Sequence, residues 1–185
     1  MSVLKPFSKL PNLDTASILL VENEEQVQQG LAEALVEDSA QAVNVRLARS
    51  LPLPLENEKT RPRIDLVVFI VNLTSDKSFK SANESLKYLD PGYFLGKVCF
   101  MVTKARYASG NMGRLDAVRK MAASLHCPLL FAEVQQSPEG VTNAARRLLT
   151  ILKVASGLVP NTSSLYLSNL TRCTKPPDID QPSFD

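Results

Sequence analysis

The residues I-L-L-V-E-N-E-E-Q-V-Q-Q (18–29) run from an apolar strand through a polar turn into a helix. Such a turn is a natural anion site, because the first N–H groups of a helix and its dipole favour negative charge. A phosphate loop exploits this with G-x-x-x-x-G-K-[ST]: glycines for close backbone approach, a lysine for the outer phosphates and a hydroxyl for magnesium. Glu22, Val27, Gln28 and Gln29 occupy the four defining positions here. Val27 adds a branched side chain where the backbone must approach, Gln28 removes the cation and Gln29 removes the hydroxyl. Glu22, Glu24 and Glu25 then place carboxylates beside any phosphate. Each close like-charge pair costs about 1 kcal/mol in a water-like dielectric and about 4 kcal/mol near a protein surface. The spacing predicts a self-capped helix instead, with Asn23 as N-cap, Gln26 completing a capping-box-like pair, and Glu24 and Glu25 in the first turn.

The elements that position this turn alternate strand with helix. Strands are expected at 17–21, 43–48, 66–71, 97–102 and 128–131. The third is apolar on both faces, as in a buried parallel strand, and the second alternates, as at an edge. Helices are expected at 26–36, 78–89, 114–125 and 141–154, each with an apolar stripe at helical spacing. The order implies a three-layer α/β fold with a mainly parallel sheet of five to six strands. Leu51–Arg63, with three prolines, reads as an irregular loop. A short helix follows at 165–170, giving a core domain over 1–158, a helical extension over 159–173 and a disordered tail over 174–185.

In open α/β sheets, ligands sit beyond the carboxyl ends of the strands. The residues expected there are Glu22 to Glu25, then Asn72 with Thr74-Ser75-Asp76, then Thr103, Lys104 and Arg106, then Glu133, Gln135 and Gln136. A hydrolase would need a positioned base, but His126, the one histidine, falls at a helix C-terminus. Cys99, Cys127 and Cys173 are far apart and form no metal or disulfide pattern. No catalytic residue, metal ligand or cofactor is expected.

The order of elements and several phrases resemble the Ras-like small GTPases. F-I-V-N-L-T-S-D-K-S-F (69–79) is similar to that family's central strand turning into its next helix. V-T-K-A-R (102–106) lies where the guanine-reading N-K-x-D belongs, and P-E-G-V-T-N-A-A-R-R-L-L (138–149) opens like the last family helix. The resemblance implies a Ras-like fold over roughly residues 15–155. In the guanine motif Lys104 is kept, but Thr103 replaces Asn and Arg106 replaces Asp, so an acceptor becomes a donor. Leu51–Arg63 contains neither the Asp nor the Gly of the magnesium motif. The expectation is a GTPase fold that neither binds nor hydrolyses GTP. Alternatives are an atypical small GTPase with residual ligand binding and a receiver-like domain, which would need an Asp where Asn72 stands.

M-S-V-L-K-P (1–6), L-A-R-S-L-P-L-P (47–54), R-P-R-I-D-L-V-V-F (61–69) and F-L-G-K-V-C-F (94–100) resemble a narrower family, the GTPase-like subunits of the inner kinetochore. That resemblance implies a non-catalytic nuclear subunit, monomeric on its own, assembling with centromere proteins H, I and K. The most direct contact would be to a helical-repeat partner. A net charge of +2 gives no reason to expect nucleic-acid binding, and no apolar run is long enough to span a bilayer. No signal-peptide pattern is expected at the N-terminus. Apolar residues the core does not require mark the expected partner surface: Tyr93, Phe94 and Leu95 in one loop, and Leu165 and Tyr166 on the last helix.

Overall fold

A computed structural model describes residues 3–6, 8–10, 14–54, 61–107, 112–133 and 138–173. The expected Gln135 and Gln136 and the tail 174–185 lie outside these residues. Five strands, β1 (Thr15–Val21), β2 (Ala42–Ala48), β3 (Leu66–Asn72), β4 (Val98–Thr103) and β5 (Leu129–Ala132), form one sheet. Its order is β2-β1-β3-β4-β5 and every pairing is parallel. The helices are α1 (Gln28–Glu37), α2 (Asp76–Ser85), α3 (Met112–Ser124), α4 (Pro138–Ser156) and α5 (Ser164–Cys173). This is a parallel α/β architecture consistent with a Ras-like arrangement.

Strand alternation divides the core in two. Ala16, Ile18 and Leu20 of β1 pack with Leu31 and Leu35 of α1 and Leu148 and Leu152 of α4. Leu19 and Val21 turn the other way and join Phe69, Phe100, Ala82 of α2 and Val118 of α3. Phe69 and Phe100 stack with ring centroids 5.7 Å apart. All residues of β3 and β4 are buried, which explains their unbroken apolar runs. β2 is only partly covered, as its alternating sequence implied.

Helix ends depart by a few residues from the sequence expectation. The expected helix over 78–89 starts at Asp76, because the Ser75 hydroxyl accepts from the Ser78 N–H, and it tightens into a 3-10 turn at Leu86–Tyr88. His126 adopts φ +52° just beyond α3, with Cys127 N–H donating to Ala122 O and His126 N–H to Ala123 O. That is a Schellman ending, so His126 closes a helix.

The N-terminal end of the sheet holds a buried polar group. Asp65 Oδ2 accepts from the Ser17 N–H at 3.0 Å, and Arg63 Nε lies 3.0 Å from Asp65 Oδ1. Nearby, the buried Lys97 ammonium donates to Ala155 O at the end of α4. Burial, and then the Arg63 charge, pull the Lys97 pKa down to about 8. Tyr93 is fully buried and donates its hydroxyl to Ile64 O at 3.2 Å. The expectation that Tyr93 faces a partner is therefore corrected: an aromatic ring in a Gly-bounded loop can turn inward when its hydroxyl finds a backbone acceptor.

Gly96 fixes how α5 docks. Its φ is +84°, and a Cβ there would lie 2.5 Å from Ser164 O at the start of α5. Gly96→Ala should lower stability by more than about 1 kcal/mol, since both the conformation and the contact exclude a side chain. Gly30→Ala, on the exposed face of α1 with nothing within 4 Å, should raise it by about 0.5–1 kcal/mol. Urea denaturation of the two variants checks the opposite signs.

Candidate functional site

The strand order reverses between β1 and β3, so the crevice beyond their carboxyl ends is where this architecture places a ligand. In this chain that crevice is occupied by its own side chains. α1 starts at Gln28, with Val27 as N-cap and no side-chain cap. Its exposed N–H groups are met from upstream: Glu22 Oε2 accepts from the Val27 N–H at 2.9 Å and the Gln28 N–H at 2.8 Å. Glu22 is 2% exposed. The carboxylate thus sits where the helix dipole and free amides would hold an anion.

The expected N-cap at Asn23 and the acidic first turn of Glu24 and Glu25 are corrected by this geometry, since no acidic residue lies in the first turn of α1. The physical reason is that residues 22–27 form a loop before the helix begins. Glu25 takes φ +53° within it, and a carboxylate five residues upstream folds back onto the helix start. The chain does cap the helix with its own anion, through Glu22 and not Asn23. The sequence signal was available: a Glu directly after an apolar strand, at the position where phosphate loops have glycine.

The neighbouring carboxylates are also engaged. Glu24 Oε2 accepts from Asn72 Nδ2 at 2.8 Å, bridging the ends of β1 and β3. A hydrogen bond from the Ser75 hydroxyl, with the Asn72 amide and the Lys104 and Lys77 charges, holds the Glu24 carboxyl below its ordinary range. Asn72 Oδ1 accepts from the Thr74 N–H at 3.0 Å and hydroxyl at 2.8 Å. The residue that a receiver would need as an ionised Asp is an amide used in both directions. Glu25 pairs with Arg49 at 2.7 Å on the exposed rim.

The degenerate nucleotide motifs fall around the same crevice. Val27 and Gln28 are buried, and Gln29 donates to Glu33 Oε1 at 3.0 Å along the exposed face of α1. Thr103 is buried at the end of β4. Lys104 adopts φ +59° and donates to Gln26 Oε1 at 3.0 Å, tying the fourth strand's loop to the first. Arg106 lies 3.9 Å from Glu133. Arg114 of α3 donates to Leu73 O and to Asp76, joining α3 to the start of α2. Among the described residues no three His, Cys, Asp or Glu side chains are grouped to hold a metal. Cys99 and Cys127 are buried free thiols, and burial pushes both pKa values up, away from thiolate reactivity.

Of the expected partner residues, Leu165 is 49% and Tyr166 58% exposed, whereas Phe94 and Leu95 are half-buried. Phe94 packs on the core cluster below β3 and β4. The Gly96–Ser164 contact brings the loop carrying Leu95 against the start of the helix carrying Leu165.

Glu22→Ala would leave two amide N–H groups at the helix start without their acceptor. The expected loss is about 2–3 kcal/mol, and Glu22→Gln, which keeps one acceptor oxygen, should lose about 1 kcal/mol. Chemical denaturation of both variants checks the ranking.

The comparisons with known proteins agree on one family. The family model described as centromere protein M matches residues 1–174. Centromere protein M of Danio rerio is 54% identical over 183 residues, covering 98% of each chain. Centromere protein M of Homo sapiens is 42% identical over 181 residues, covering 97% of this chain and 99% of that protein. Centromere protein M of Xenopus laevis is 42% identical over 175 residues, covering 94% and 97%. The chain belongs to the centromere protein M family.

Proposed function

We propose that this chain is a non-catalytic scaffold subunit of the inner kinetochore, working in the nucleus at the centromere and using a GTPase-like fold as a rigid partner-binding body. The family supports the centromeric role. The observation that carries the non-catalytic part is Glu22, whose buried carboxylate takes the amide donors a nucleotide phosphate would need. A phosphate entering there must displace an anion already bonded twice and then face Glu24 with neither the phosphate-loop lysine nor the glycines present. The chain supplies no magnesium hydroxyl at Gln29 and an arginine at the guanine acceptor, Arg106.

The partners proposed are centromere proteins H, I and K, with a helical-repeat partner making the most direct contact. The surface proposed is the one where the Leu95 loop meets α5. Leu165 and Tyr166 supply exposed apolar area, and Leu95 and Phe94 extend it toward the sheet. Central, desolvated apolar side chains are the kind that dominate an interface.

Two measurements test this reading. Leu165→Glu should change the melt by no more than about 0.5 kcal/mol, as an exposed substitution does. Co-purification with the H–I–K assembly should fall at least about tenfold, and Leu95→Asp should act the same way. Retained binding in a folded Leu165→Glu variant would move the interface elsewhere. Separately, millimolar GTP with Mg²⁺ should leave the melting temperature unchanged. A site populated at 100-fold excess over Kd would add about 2.7 kcal/mol, and a shift of that size would overturn the non-binding reading.

A further inference from the structure

β2 is the terminal strand of the sheet, and its outer edge faces away from β1. Glu22 N–H donates to Ala48 O at 3.0 Å, so the backbone of Ala48 faces β1. By the alternation of an extended strand, Val43, Val45 and Leu47 turn their N–H and C=O groups to the free side. No strand pairs there among the described residues. Edge strands are usually defended by shortness, proline or repeated charge. β2 has seven residues, no proline and one charge, Arg46.

The side chains along this edge are shaped for an occupant. A cleft of about 770 Å³ lies between the start of α1 and the segment 50–54. A second, of about 420 Å³, continues on the other side of β2 and adds Arg46 and Arg61. Leu47, Leu53 and Pro54 line both, and Leu47 is 41% exposed. Gln28 forms a wall of the larger cleft; it is 3% exposed, and its side-chain carbonyl oxygen has no hydrogen-bond donor among the described residues. Arg61 donates to Pro54 O at 2.9 Å, and neither Arg61 nor Arg46 pairs with a carboxylate among the described residues. The features converge: outward backbone groups for a strand, apolar side chains for alternate residues, a buried acceptor for one N–H and two arginines for acid.

We propose that the free edge of β2 docks an extended acidic segment of a partner protein, which adds a sixth strand, seats an apolar residue on Leu47 and Leu53, and places a carboxylate at Arg46 and Arg61. Charge complementarity selects this occupant. A second copy of the chain would bring another Arg46 and no carboxylate, because β2 contains no acidic residue. The surface stands apart from the Leu95–Leu165 region, and the proposal does not rest on the kinetochore reading.

The test uses the full chain and a fluorescein-labelled heptapeptide alternating valine with glutamate, with a valine–lysine peptide as the control. Anisotropy should show saturable binding of the acidic peptide, at least about tenfold tighter than the lysine peptide. Amide shifts should concentrate at Val43, Val45 and Leu47, and N-methylation along one edge of the peptide should abolish binding. In a folded Arg46→Glu, Arg61→Glu variant the preference should reverse toward the lysine peptide. Leu47→Asp, a change at an exposed side chain, should weaken binding of the acidic peptide at least about tenfold with an unaltered melt. The proposal fails if the acidic peptide does not saturate, if the charge swap leaves its affinity unchanged, or if the shifts lie elsewhere. A β2-mediated dimer in sedimentation that excludes the peptide would instead assign the edge to a second copy.

Discussion

The interaction on which this structure turns is the pair of hydrogen bonds from the Val27 and Gln28 amides to the Glu22 carboxylate. A helix that begins at the carboxyl end of a parallel sheet points donors and a positive dipole into the ligand crevice. Something must satisfy them. Many α/β proteins leave that task to a phosphate, which couples the local order of the crevice to ligand. Here the acceptor is covalently part of β1's end, so α1 is anchored without any ligand. The same logic extends outward: Glu24 bridges to Asn72, Lys104 bridges to Gln26, and Arg114 ties α3 to the start of α2. The carboxyl edge becomes a set of internal contacts.

Much of this was legible in the sequence because the relevant signals are local. The apolar runs of β3 and β4 report burial on both faces, and the alternation in β2 reports an edge. Residues 22–29 contain neither glycine nor lysine, so the phosphate-loop pattern is not met there. What was not legible depends on where the chain goes between elements. Asn23 has the right side chain for an N-cap, but the helix begins five residues later, and no local rule says how long the intervening loop runs. Tyr93 reads as a surface aromatic until the carbonyl of Ile64, 29 positions earlier in the chain, accepts its hydroxyl. The Gly96–Ser164 contact links segments far apart in sequence, and only the packed structure shows why the loop at 93–96 and the start of α5 lie together.

Cover on the sheet is uneven among the described residues. α1 and α4 cover one face, and α2 and α3 cover the other over β3, β4 and β5. The described ends of the connection between β2 and β3 contribute Leu51, Leu53 and Ile64 to the core. They bury Leu19, whereas Leu47 stays exposed on β2, the terminal strand of the sheet. The two surfaces proposed for partners lie on α5 with its neighbouring loop and along the β2 edge, while the crevice beyond β1 and β3 holds Glu22 and Glu24 hydrogen-bonded within the chain.

The most direct test of the central claim is amide hydrogen exchange of Val27 and Gln28, measured by NMR on the full chain in nucleotide-free buffer. If the buried Glu22 carboxylate holds both donors, these two amides exchange as slowly as that of Leu31, which bonds to Val27 O inside the first turn. Exchange at the rates of an open loop, or protection that appears only when GTP and Mg²⁺ are added, would contradict it.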